Sequence, residues 1–372
     1  MNRNYAIDGF RGLLLVVIAI NHLESVAMTP FTTNPFGFVS AAEAFIFLSG
    51  VMASMLYGQL VDNPVQLKRR IWQRVKHLYL FTMLAVLFIF IALHTHLLPN
   101  IWYADWGNYF LLENYLNYPI QALLLNFFQI QQMGYLDILV LYMVPMLFLP
   151  WALLLLHQGK GLLVFSLSFL FWLAAHVVND SFLVDVFLFL QLNIKVDAGY
   201  MDIMAWQFIF YLGVIAGYCQ TLPSVDLIAN RKLKYISLLL ALIFLVMHKA
   251  NLTLPLPANL ASLFYSWKDV GLIRLLNTLV LAYWVAVLIR KSPQIFTIKP
   301  LVYLGQHSLQ VFTFHVVGIY FLLPCMSLIN ENYSLWADLS LVFVFVLTLF
   351  IPAYLHAQWQ TFNKLKMTVA NK

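Results

Sequence analysis

Ten stretches of this chain each hold a run of mainly apolar residues, and the charged side chains fall mostly in the gaps between them. A helix needs about 20 such residues to cross the hydrocarbon core of a bilayer. The stretches are Phe10–Ala27, Phe38–Tyr57, His77–Leu97, Leu136–Leu156, Leu162–Val178, Ile203–Cys219, Lys234–Met247, Leu272–Ile289, Leu301–Leu323 and Leu335–His356. Of 372 residues, 62% are hydrophobic and 10% charged, against roughly 25% charged in soluble domains. A water-soluble globule of this composition would cover itself with apolar side chains and aggregate. The expected fold class is therefore an all-α integral membrane protein, a bundle of about ten transmembrane helices forming one domain over residues 1–372. Ile120–Ile130 is apolar but too short to span, and reads as an interfacial or re-entrant helix. No soluble domain, low-complexity run or internal repeat stands out.

Lys and Arg set the orientation, because they accumulate on the cytoplasmic side. With both termini cytoplasmic, only Lys195, Lys249, Lys268 and Arg274 of the 21 basic residues fall outside. That asymmetry supports both the count of ten and the orientation. The formal charge of +6 comes from these short basic loops and implies a membrane partner, not nucleic acid. Met1–Met28 has the outline of a cleavable leader. Asp8 and Arg11 at its start, and Asn21, His22 and Glu24 at its far end, argue for an uncleaved first helix. Cys219 and Cys325 fall near opposite faces, too far apart for a disulfide.

Ionisable groups inside a span cost roughly 2.5–3.5 kcal/mol each even on the lenient insertion scale, and usually mark function. Arg11 and His22 are eleven residues apart, so they share one helix face, about 16 Å apart along the axis. Asp8 is placed one turn before Arg11, at pairing distance along the helix. Glu43, near the outer end of the second span, lies at a depth comparable with His22. A carboxylate on one imidazole nitrogen fixes the tautomer and leaves the other nitrogen as a base. The same pair also serves as a structural hydrogen bond between helices, and geometry alone leaves both readings open.

Arg69, Arg70 and Arg74, with Lys68 and Lys76, precede the third span. They satisfy topology, and they also suit the phosphates of a nucleotide-like donor. Trp102, Tyr103, Trp106, Tyr109, Tyr115 and Tyr118 fit an interfacial belt or a platform for sugar rings. Asp137 and Asp202 begin helices on the outer side, where carboxylates favour the dipole and can also meet a hydroxylated acceptor. His307 is a possible contact in the ninth span; His315 reads as a satisfied interior group. His94 and His96 have nothing nearby to complete a metal set, so no metal site is expected. Neither a phosphate-binding glycine loop nor a serine nucleophile elbow is present.

The run Ile7-Asp8-Gly9-Phe10-Arg11-Gly12, followed by His22, resembles the first helix of the membrane acyltransferase-3 superfamily, in which an Arg is followed by ten residues and a His. Further stretches resemble the OpgC family: Ser40 to Gly50, Gly134 to Leu139 with Leu141-Tyr142, Ala205 to Phe208 with Leu212-Gly213, Arg274 to Asn277, and Leu304 to Phe312. They lie in order along nearly the whole chain. The resemblance implies a multi-pass enzyme of the bacterial inner membrane. Such an enzyme moves an acyl group, succinyl or acetyl, from cytoplasmic acyl-CoA to a hydroxyl of a periplasmic glucan or other glycan. Acyl-CoA is then a donor substrate, and no bound cofactor is expected. By the resemblance His22 becomes the general base, Arg11 a donor-side or structural contact, and Arg69 and Arg70 candidate CoA ligands. The residues themselves add Asp8 and Glu43 to the candidate catalytic group, and Arg74, Asp137, Trp206 and His307 to the candidate substrate contacts.

A transporter or flippase is the rival from another class, since buried His, Arg and Glu also suit proton relays. It lacks support from matched broken helices or a clear repeat. A non-catalytic assembly or sensor protein would need neither the Arg11–His22 spacing nor the basic inner mouth.

Overall fold

A computed structural model describes residues 3–95, 110, 112–177, 196, 198–222, 226 and 228–370. The described secondary structure is helical. In chain order the α-helices are α1 (Tyr5–His22), α2 (Thr29–Thr32), α3 (Ala41–Tyr57), α4 (Pro64–His94), α5 (Glu113–Asn117), α6 (Pro119–Phe127), α7 (Asp137–His157) and α8 (Gly161–Ala175). They continue with α9 (Ile203–Gln220), α10 (Arg231–Lys249), α11 (Ala258–Tyr265), α12 (Leu272–Lys291), α13 (Lys299–Gln306), α14 (Ser308–Glu331), α15 (Leu335–Thr348) and α16 (Phe350–Ala370). Among the described residues eight helical segments are long and apolar enough to cross a membrane, the last running from Leu335 to Asn363.

Each of the ten expected stretches contains a helix among its described residues, but two fall short of that standard. The helix α8 has 15 residues, and α10, with 19, carries Arg231, Lys232 and Lys234 at one end and Lys249 at the other. Two others are not single rods. Leu301–Leu323 breaks at His307, which caps α14 with φ −113° and ψ 28°, and the last stretch is interrupted at Leu349. The short apolar stretch after Tyr118 forms α6.

Helix starts follow local chemistry. Asn4 accepts from the Ala6 and Ile7 amides at 3.1 and 3.2 Å, and Asp202 from those of Met204 and Ala205 at 2.6 and 3.2 Å. These are side-chain N-caps of the orphan first-turn amides. At the other end of α1 the helix stops at His22, five residues before the apolar run ends. Glu24 adopts φ 56°, and Asp338 accepts from the Ser25 hydroxyl and, at 2.9 Å, from the Ala27 amide. That buried carboxylate draws the backbone out of the helix.

The chain divides into two compact units. One contains residues 1–35 and 284–372, the other 36–283. In the first, α1 packs on α13 backbone to backbone. A Cβ on Gly12 would lie 1.9 Å from the Leu301 carbonyl oxygen, and one on Gly305 would lie 1.8 Å from that of Asp8. In the second, α3 and α9 cross in the same way, with Gly50 against the Phe210 carbonyl and Gly213 against that of Phe47, each at 2.1 Å from the missing Cβ. Small residues let helices approach closely where lipid supplies no hydrophobic drive for association. The α8–α9 contact adds a polar tie: the Ser168 hydroxyl donates to Gln207 Oε1 at 2.7 Å, and Gln207 Nε2 returns to the Ser168 carbonyl at 2.8 Å.

Candidate active site

Within the first unit, the face of α1 that carries Arg11 and His22 meets one helix, α14. Arg11 Nη1 donates to Ser308 Oγ at 3.3 Å. His22 Nδ1 lies 3.2 Å from His315 Nε2. Ser308 and His315 are seven residues apart, two turns of helix, and so occupy one face of α14. The two helices therefore run in the same direction, and the shared face inferred from the spacing of Arg11 and His22 is matched by a shared face opposite. His22 is half-buried and His315 fully buried. Asp8, also buried, receives Arg3 Nε at 2.5 Å.

A second cluster in this unit surrounds the break before α14. His307 Nδ1 lies 2.8 Å from His356 Nδ1. His356 Nε2 in turn meets the side-chain amides of Gln310 at 3.4 Å and Gln360 at 3.2 Å.

In the second unit Glu43 and Arg274 form a fully interior ion pair. Arg274 Nε donates to Glu43 Oε1 at 3.0 Å, and Nη2 approaches the same oxygen to 2.7 Å, outside in-line hydrogen-bonding geometry. The other oxygen accepts the Ser40 amide at 2.9 Å and the Ser40 hydroxyl, completing a capping box at the start of α3. One turn along from Arg274, Asn277 Oδ1 accepts the Phe38 amide at 2.8 Å. Glu43 thus closes the entrance of α3 onto α12.

The remaining candidates are distributed through this second unit. Asp137 is buried and accepts the Tyr200 amide at 2.8 Å. Trp206 is buried and donates its indole N–H to the Lys268 carbonyl at 2.9 Å, with Trp267 packed edge-on at 6.2 Å. The basic run of α4 divides between faces. Arg70 and Arg74, one turn apart, act on the Tyr57 phenol. Arg69 lies with Lys68, Trp72 and Lys76 along an open groove. His96, Trp102, Tyr103, Trp106, Tyr109 and Lys195 fall outside the described residues; Tyr115 is buried and Tyr118 exposed.

From the sequence alone His356 and Asp338 carry no role, His315 reads only as a satisfied interior group, and Arg274 only as an outer-side cation within a resembling stretch. Arg274 had a legible signal, a lone cation just inside an apolar span. Asp338 and His315 had none, because their partners Ser25 and His22 lie 313 and 293 residues away in the chain, and His356 meets His307 across 49 residues, from a different helix.

Long apolar helices tied by a buried ion pair and imidazole contacts define a multi-pass, all-α membrane protein. The family model described as OpgC protein matches residues 3–361. The chain belongs to the OpgC family, and that membership implies a glucan-modifying, acyltransferase-like role. Comparison with curated proteins and with solved structures found no match.

Proposed function

We propose that this protein is an O-acyltransferase that moves a succinyl group from acyl-CoA to a hydroxyl of a periplasmic glucan. The observation that carries the reading is the Arg11–His22 face of α1, seated on α14 in a chain matched along nearly its whole length by the OpgC family. The protein sits in the bacterial inner membrane with both termini in the cytoplasm, as the distribution of Lys and Arg favours. Acyl-CoA places its phosphates on the basic start of α4, where Arg69, Arg70 and Arg74 supply bidentate donors, and its acyl arm reaches toward the outer side. Asp137, Trp206 and His307 are the remaining candidate substrate contacts.

His22 acts as general base. It takes the proton of the sugar hydroxyl while the oxygen attacks the thioester carbonyl. A C–O bond forms, the C–S bond breaks, and the imidazolium returns its proton to the departing CoA thiolate. Positioned general bases contribute about 10²–10⁴-fold, which sets the loss expected on removing this one.

The test is to incubate the purified protein in detergent with succinyl-CoA and a periplasmic glucan, following CoA release and acceptor mass, with His22→Ala as control. Release of CoA with a succinyl mass added to the glucan, lost in His22→Ala, is the expected result. In the same assay Arg69→Ala and Arg70→Ala raise the donor KM. Turnover with acetyl-CoA alone would keep the reaction class and change the donor. No turnover with either donor across several glycans would favour a transporter or flippase.

A further inference from the structure

We propose that His315 is the positioning residue for His22: its Nε2 accepts the His22 Nδ1–H and fixes the tautomer in which the other nitrogen of His22 carries the basic lone pair. This rests on the reading of His22 as the base.

The contact is a directed one. The two ring centroids are 5.3 Å apart with planes 28° from parallel, while the facing nitrogens are 3.2 Å apart. The difference is about the two ring radii, so the rings meet edge to edge, with nitrogen pointing at nitrogen. The Phe312 ring packs edge-on against His315 at 4.7 Å and 84°, which limits rotation of the imidazole. His315 is fully buried.

Two neutral imidazoles share one N–H, and its owner decides the chemistry. If His315 Nε2 donated, the His22 proton would sit on its Nε2, and no lone pair would face a hydroxyl there. The role of His22 as base selects the reverse. Its Nδ1 is the nitrogen that faces His315, so Nε2 is the one left to take a hydroxyl proton, and it must carry a lone pair. The His22 proton then sits on Nδ1, which donates, and His315 Nε2 accepts.

A carboxylate is the commoner orienting group. The buried carboxylates of this unit are otherwise engaged, Asp8 by Arg3 and Asp338 by Ser25 and Ala27. Glu43, in the other unit, is held by Arg274 and Ser40. During transfer the hydroxyl proton goes to His22 Nε2 and leaves from there to the CoA thiolate. The Nδ1–H stays on its hydrogen bond to His315, which steadies the transient imidazolium without itself exchanging a proton.

The test compares His315→Leu, His315→Gln and His315→Asn with the wild type and His22→Ala in the transfer assay, after size-exclusion chromatography of each. Gln places an oxygen acceptor near the position of Nε2; Asn is polar but too short to reach it. The expected result is a kcat about 10²–10³-fold lower for Leu, within the range of acid–base assistance, with the acyl-CoA KM unchanged. Gln restores kcat to within about tenfold of wild type, as an acceptor that keeps the tautomer should, and Asn behaves like Leu. A Leu variant with near-normal kcat beside an inactive His22→Ala would overturn the proposal, as would equal kcat for Gln and Asn. If the Leu variant does not fold, the Gln and Asn pair decides alone. Transfer by His22→Ala would instead remove the base assignment itself, a result that involves no substitution at position 315.

Discussion

Replacing Glu43 by Leu and Arg274 by Met, singly and together, asks what the interior ion pair contributes. Both side chains are at or near full burial, Glu43 at 0% and Arg274 at 5% exposure. Removing either leaves a charge in the interior, at a cost of about 3–5 kcal/mol for a buried pair. Glu43→Leu also strips the Ser40 amide of its acceptor, adding about 1 kcal/mol for a lost cap interaction. The double variant has no stranded charge and keeps only the loss of the cap, so its cost falls to about 1 kcal/mol. The assay is equilibrium unfolding of the purified protein by SDS in mixed micelles, read by circular dichroism. Strong non-additivity, with the double variant close to wild type, is expected. Additive costs within about 0.5 kcal/mol, or single costs below about 1 kcal/mol, would refute the reasoning. Transfer activity in the double variant adds a second reading: a folded, active protein makes Glu43 a structural group, and a folded, inactive one returns it to the chemistry.

Two other outcomes follow from the packing. Gly305→Ala sets a methyl 1.8 Å from the Asp8 carbonyl oxygen, a backbone atom that cannot step aside, and should cost at least the 1–3 kcal/mol of ordinary overpacking, about. Gly161→Ala, whose methyl meets only Leu156 Cδ2 at 3.4 Å, should stay close to wild type in the same unfolding assay.

The helices were legible in the sequence because each run of apolar residues forces its backbone to bond internally in lipid. Their ends were less so. Phe10–Ala27 reads as one span, yet the helix closes at His22, because the carboxylate that captures Ser25 and Ala27 belongs to Asp338. Leu301–Leu323 reads as one span from its apolar ends, yet the polar run Gly305-Gln306-His307-Ser308 lies inside it, and the helix breaks there. The face shared by Arg11 and His22 followed from helical geometry alone. Its counterpart, Ser308 and His315, depends on which helix packs there, and that is a tertiary fact. The basic run at 68–76 shows the same limit: composition gives the charge, and only the helix phase separates Arg69 from Arg70 and Arg74.

The unit that holds His22 is assembled from the two far ends of the described chain. Roughly 280 residues lie between His22 and Lys299 at the start of α13, which at ordinary synthesis rates is roughly a quarter of a minute to a minute of translation. Throughout that interval α1 is already made, and its Arg11 and His22 have neither Ser308 nor His315 to meet. Biogenesis thus includes a waiting period in which a polar helix must be sheltered, by the insertion machinery or by the helices already in place. Defects in the last quarter of the gene would then surface as instability of the helix encoded at its start.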